Sequence, residues 1–217
     1  MATTPRSELR ERKQPAPRKS RSDGERSRRT ILDAAAKLAT TEGLDGLSIG
    51  GLADHIGMSK SGLYAHFGSK KELQLATIEA AGEIFSADVI APAEEAETPL
   101  ARLELLCELF LSHLERRVFP GGCFFASAAA EFDTRPGVVR ESIAEFQRGW
   151  MELMAQLIHE AQEAGELRKE DPDQLAFELD GYLMMANQAF LILNDPGAIQ
   201  RARTAVAARL ALSRTNP

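Results

Sequence analysis

Apolar residues recur with a helical period along most of the chain after residue 23, and strand-like alternation is hard to find. Ile31, Ala34, Ala35, Leu38 and Ala39 fall at i, i+3, i+4, i+7 and i+8, which predicts a helix over 24–41 with one buried stripe, ended by Gly43. Ser48 is placed to cap a second helix carrying Ile49, Leu52, Ala53 and Ile56, which Gly57 breaks. Ser59 caps a short third helix with Leu63 and Phe67 four apart, stopped by Gly68. Ser69 caps a long helix over 70–90, with Glu72 completing a capping box. Pro92 and Pro99 mark a break. Further helices are predicted near 99–118, 122–133, 137–164, 172–194 and 196–212, separated by Gly121-Gly122, Pro136-Gly137, Gly165, Asp171-Pro172 and Asp195-Pro196. The fold class is therefore all-α, with a first helical domain at 24–90 and a second at 91–217.

Composition adds little until it is divided along the chain. The 217 residues are 44% hydrophobic, 27% charged and 6% aromatic, the profile of an ordinary helical globular protein. Residues 1–23 differ: Pro5, Pro15, Pro17 and seven Lys/Arg predict a disordered cationic arm. Residues 1–71 carry 14 Lys/Arg against 8 Asp/Glu, whereas 72–217 carry 12 against 24. A basic front on an acidic body suggests a polyanionic partner at the front. The first 30 residues hold no apolar signal core, and the most apolar tract, 181–193, is shorter than the roughly 20 residues a membrane span needs. The two cysteines give neither a disulfide framework nor metal spacing. The expectation is a reduced, cytoplasmic protein without a membrane segment.

The helices predicted at 48–56 and 59–67, joined by Gly57-Met58, form a helix-turn-helix. Leu52, Ala53, Ile56, Leu63 and Phe67 hold the two together and leave Lys60, Ser61, Tyr64 and His66 to face outward. Lysines and hydroxyls suit phosphate oxygens, and Ser and Lys also reach base edges. Lys70 and the free amides beginning the next helix offer a second phosphate site. Taken singly these features are weaker, since a lone Tyr64 is usually a packing residue and Lys70-Lys71 a solvated face. His55 and His159 read as surface residues. His113 precedes Glu115 by two positions but has no further ligand on its face, so no metal is expected. Cys123 follows Gly121-Gly122 near a helix start, where free amides can lower a thiol pKa and permit a redox or electrophile switch; the competing reading is a small buried apolar residue.

From Leu47 to Leu73 the pattern L-S-x-x-x-L-A-x-x-x-G-x-S-K-x-x-L-Y-x-H-F-x-S-K-x-x-L resembles the DNA-binding signature of TetR-type regulators, with Ala53, Gly57, Ser59, Leu63, Tyr64, Phe67, Lys70 and Leu73 in register. The resemblance implies a homodimeric one-component regulator, most often a repressor, that leaves a palindromic double-stranded DNA operator when a small molecule binds. It implies phosphate contacts from Ser48, Tyr64 and Lys70. Gly50, Lys60, Ser61 and Gly62 would then lie nearest the bases, with Ser59 opening the helix and His66 at the groove edge. Positions 61 and 62 read Ser-Gly where the family more often has Gly followed by Ser or Thr.

Two other function classes match parts of the sequence. G-L-S-I-G at 46–50 matches the nucleophile elbow of serine hydrolases, with Ser48 as nucleophile, but no strand-like segment precedes it. A nonspecific architectural DNA-binding protein would have no use for a large acidic second domain. No catalytic residue and no cofactor are expected. Within 99–190 the resemblance implies an effector pocket, for which Phe85, Leu106, Phe110, Phe125, Phe146, Trp150, Met154, Tyr182 and Met185 are candidates, taking an apolar or amphipathic molecule. It implies dimerisation through 172–194 and 196–212, where Ala176, Leu179, Leu183 and Ala186 form an apolar stripe extended by Val206 and Leu210.

Overall fold

The computed structural model describes residues 21–215, with side chains from residue 24. The arm expected at 1–23 lies outside the described residues, apart from its last three positions, which already belong to the first helix. The described residues form ten α-helices: α1 Arg21–Glu42, α2 Ile49–Ile56, α3 Lys60–Phe67, α4 Lys70–Phe85, α5 Ala91–Ala93, α6 Pro99–Glu115, α7 Phe124–Phe132, α8 Val138–Glu163, α9 Pro172–Ile192 and α10 Ala198–Ser213. One apolar core runs from Ile31 to Leu210. α1 packs on α2 and α4, α8 packs on α4, α6, α7 and α9, and α10 closes against α9 and α6.

The predicted stop at residue 90 is displaced. Between α4 and α5 the chain continues as a π-helical turn over Ser86–Ile90, in which the Ala91 N–H reaches back five residues to the Ser86 carbonyl. Pro92 therefore lies inside helical backbone. Proline brings no N–H and its ring crowds the carbonyl four residues back, so a wider turn just before it relieves both defects.

On α9 the expected dimer stripe points the other way. Ala176, Leu179, Leu183 and Ala186 are all buried in the chain's own core, as are Val206 and Leu210 on α10. The exposed face of α9 is Phe177, Gly181, Met185, Gln188 and Ile192, at i, i+4, i+8, i+11 and i+15. This helix has two apolar stripes, and periodicity cannot say which one its own core takes.

Helices α1–α4 meet the rest of the protein through α4 against α8 and the π-helical turn, and through α1 against α7 and the loop before it. The Glu131 carboxylate on α7 accepts the backbone N–H groups of Leu44 (3.0 Å) and Asp45 (2.8 Å) in the loop between α1 and α2. Gln74 donates to the Leu44 carbonyl from the other side. Gly121 packs its backbone against the end of α1, where its N–H donates to Thr40 Oγ1 at 3.0 Å.

Candidate nucleic-acid interface and internal cavity

The helix-turn-helix is built by local capping. Ser48 Oγ accepts the Gly51 N–H at 3.0 Å, and Ser59 Oγ accepts the Gly62 N–H at 3.2 Å. Gly57, with φ of 68°, takes the left-handed conformation that lets Met58 N–H return to the Ala53 carbonyl at 2.9 Å. The result joins α2 to α3 in a single tight turn. Leu52, Ala53, Leu63 and Phe67 are buried between the helices.

Of the nine residues expected at DNA, Ser48, Ser59, Lys60, Ser61, Tyr64 and Lys70 are exposed, and Gly50, Gly62 and His66 are half-buried. Tyr64 stands 57% exposed, too open for a packing residue. Lys60 lies across Gly50, with its Nζ 3.5 Å from Asp54. Lys70 Nζ donates to the Asp45 carbonyl and lies 3.2 Å from Asp45 Oδ1, while Arg135 pairs with the other oxygen of the same carboxylate. The two hydrogen bonds from Arg135 and Lys70 hold Asp45 below its ordinary carboxylate pKa. These pairs are solvent-exposed and weak, so both lysines can turn to a competing phosphate.

One contributor escaped the sequence reading. Arg28 on α1 lays its guanidinium over the Phe67 ring, 4.8 Å from the centroid, and donates to the His66 carbonyl at 3.1 Å. It thereby fastens the end of α3 to α1. Nothing in the run R-S-R-R-T separates Arg28 from its neighbours. Ser48, for its part, caps a helix that follows a helix and a loop, without the strand-to-helix elbow a hydrolase nucleophile needs.

A second feature is a cavity of about 240 Å³ bounded by α4, α6, α7, α8 and α9. Five of the nine candidate pocket residues line it: Phe85, Phe110, Phe125, Phe146 and Trp150. The other four lie elsewhere. Met154 is wholly buried in the core. Leu106 faces a cleft with Arg102 and Glu160, and Tyr182 and Met185 face a groove between α9 and α10. Phe85 is the hub of the aromatic set, in edge-on contact with Phe110, His113, Phe146 and Trp150 at centroid distances of 6.0, 5.7, 5.6 and 5.4 Å. Phe125 and Phe146 stack in parallel. Asp180 also lines the cavity, which the sequence did not signal, and accepts the Trp150 Nε1–H at 2.9 Å. Burial holds Asp180 above its ordinary pKa despite that hydrogen bond.

Cys123 reaches the same cavity and is the N-cap residue of α7. Its backbone N–H donates to Asn187. Burial pushes the thiol up to about 11, outweighing the α7 amides of Ala126 and Phe125 that lower it. Of the two readings of Cys123, its burial supports the small apolar residue, since reactive thiols sit in partly exposed, electropositive surroundings.

His113 is buried, with Nδ1 2.6 Å from Asp88 Oδ2 in the π-helical turn, and Arg116 holds the same oxygen at 2.7 Å. His113 Nε2 has no hydrogen-bond partner among the described residues. Burial lowers the His113 pKa, more than the Asp88 carboxylate raises it. For Asp88, burial acts upward, but the hydrogen bonds from Arg116 and His113 prevail and hold it below its ordinary value. The neutral ring therefore donates from Nδ1. A base whose folded pKa is depressed is neutral in the fold but protonated once unfolded, so it contributes full stability above its ordinary value of 6.5 and loses it as pH falls through 6.5 toward the folded value. Thermal melting between pH 7.5 and 5.5 should show stability declining with acid, and His113→Gln should flatten that slope. An identical slope in both proteins would mean His113 does not set it.

Residues 31–77 match the model for bacterial regulatory proteins of the tetR family, and residues 99–206 match the tetracyclin repressor-like C-terminal domain. The chain is 28% identical over 157 residues to the transcriptional regulator AcuR of Cereibacter sphaeroides, covering 71% of each protein. It is 29% identical over 142 residues to the nucleoid occlusion factor SlmA of Marinobacter nauticus, covering 65% of this chain and 69% of that one. Its fold is similar to a TetR transcriptional regulator from Chloroflexus aurantiacus, with a TM-score of 0.82, 25% identity, and 89% and 98% of the two chains covered. It is also similar in fold to AibR, solved with isovaleryl coenzyme A and operator DNA, with a TM-score of 0.69, 23% identity, and 83% and 96% covered. No helix among the described residues is long and apolar enough to cross a membrane. With the helix-turn-helix and most of the remaining helices each matched, on a fold shared with known regulators, the chain belongs to the TetR family of DNA-binding transcriptional regulators.

Proposed function

We propose that the protein is a cytoplasmic one-component repressor that grips a palindromic operator as a homodimer and releases it when a small apolar or amphipathic molecule fills the aromatic cavity. The observation that carries this is α4: it begins at Lys70 beside the helix-turn-helix and ends at Phe85 on the cavity wall. One rigid element touches both places. A molecule that displaces Phe85 tilts α4 and shifts α3 relative to its dimer mate, and paired recognition helices need a spacing of about 34–36 Å on one face of DNA. The unit 24–90 acts as the DNA-binding domain and 91–217 as the effector and dimerisation domain. AibR, a protein of the same fold, has been solved with both a ligand and operator DNA.

On the DNA side Tyr64, Ser48 and Lys70 hold phosphates. Lys60 and Ser61 lie nearest the bases, flanked by Gly50, Ser59 and Gly62, with His66 at the groove edge. Gly62 leaves that reading to its neighbours, since it has no side chain.

Dimerisation uses the outward face of α9 with α10. Phe177, Met185, Ile192, Leu193 and Leu212 are all more than half exposed there, a concentration that monomeric surfaces rarely leave bare. Met185→Glu should convert the dimer to a monomer in size-exclusion chromatography with light scattering, because two carboxylates would then be buried near the symmetry axis. An unchanged dimer would move the interface elsewhere.

Selection of a duplex from a random pool, followed by anisotropy titration, tests the switch. Phe85→Leu should leave effector-free affinity within about twofold while reducing the effector's coupling, which in such systems amounts to about 1–3 kcal/mol. Equal coupling in both proteins would make α4 a passive strut.

A further inference from the structure

The cavity has an electrostatic character that the switch alone does not require. Its wall is made of aromatic rings from Phe85, Phe110, Phe125, Phe146 and Trp150, with Asp180 as the one ionisable carboxylate. No Lys, Arg or His lines it. Asp180 takes a hydrogen bond from Trp150, and among the described residues no cation forms an ion pair with it. A carboxylate can accept about four hydrogen bonds, so most of its capacity remains open to a guest. The other polar lining groups, Gln147 and the protonated Cys123 thiol, bring no positive charge. A half-buried negative charge without a counter-charge is costly, and aromatic faces add negative potential of their own. A guest with a positive nitrogen offsets both, whereas a carboxylate guest meets repulsion and a neutral one leaves the charge uncompensated.

We propose that the effector is a compact organic cation, a protonated primary or secondary amine on an apolar or aromatic body, whose N–H donates to Asp180 while its charge lies among the rings. This rests on the cavity being the effector site, and it names the ligand class that site selects.

Trp150 is the chain's single tryptophan and lines the cavity, so its emission reports occupancy directly. The probes are 2-phenylethylamine, 2-phenylethanol and phenylacetate, which share a body and differ in charge, each titrated into the full-length protein at pH 7.5. The amine should bind at least about tenfold more tightly than the alcohol, and the acid more weakly still. Asp180→Asn keeps an acceptor for the Trp150 N–H and removes the charge. It should weaken the amine about tenfold or more and change the alcohol by less than about threefold.

Equal or tighter binding of the alcohol or the acid would overturn the cation class while leaving the cavity as a ligand site. Loss of amine and alcohol binding alike in Asp180→Asn would also overturn it, making Asp180 structural. No response to any of the three probes in the wild type would sink the proposal too. A separate anisotropy measurement on the selected duplex distinguishes the switch: an amine that quenches Trp150 without displacing DNA supports the ligand class and refutes the inducer role.

Discussion

Gly121→Ala should melt roughly 6–12 °C below the wild type. A Cβ at Gly121 would come to 1.8 Å from the Thr40 carbonyl oxygen and 2.5 Å from its carbon. Both are backbone atoms at the end of α1, so no side chain can swing aside. The loop between α6 and α7 must back away, and the hydrogen bond from the Gly121 N–H to Thr40 Oγ1 goes with it. Overpacking of this kind costs about 3 kcal/mol, and a chain of this size loses about 2–4 °C per kcal/mol. Gly149→Ala is the internal control. It lies on the exposed face of α8 with nothing within 4 Å of an added Cβ, and alanine there should stabilise by about 0.5–1 kcal/mol. If Gly121→Ala melted with the wild type, the contact between α1 and the loop before α7 would be looser than its geometry implies.

The second large effect lies at the DNA surface. Replacing Lys60 and Lys70 together by Ala should weaken duplex binding about a thousandfold at 0.15 M salt and lower the salt slope by about 4. Two lysines per subunit withdraw four positive charges per dimer, Lys70 from a phosphate and Lys60 from the groove beside it, and each charge contributes about 0.9 to the slope. Stability should scarcely change, because the pairs with Asp54 and Asp45 are exposed and such pairs contribute about 0–1 kcal/mol. Tyr64→Phe provides the contrast. A phenol releases no counterion, so it should weaken all sequences by about 1 kcal/mol per contact with the slope unaltered. Anisotropy titrations across a salt series separate the two. An unchanged slope in the double lysine variant would remove α3 and the start of α4 from the phosphate backbone.

The chain's own order of residues settled a good deal. The helices and their caps follow from neighbours three and four apart, and Ser48, Ser59 and Ser69 cap α2, α3 and α4 as their positions require. The helix-turn-helix is legible for the same reason: its turn, its caps and its small core of Leu52, Ala53, Leu63 and Phe67 all lie within a span of about twenty residues. Tertiary packing decided what local spacing cannot encode. Which of the two apolar stripes on α9 turns inward depends on α8 and α10, and the core took Leu179 and Leu183 while leaving Phe177 and Met185 outside. Asp180 and Trp150 are 30 positions apart, His113 and Asp88 are 25 apart, and Gly121 and Thr40 are 81 apart. A side chain's solvation, its pKa and the room for a single methyl group depend on atoms brought together through the whole fold, so neither the carboxylate in the cavity nor the buried histidine leaves a mark in periodicity or composition.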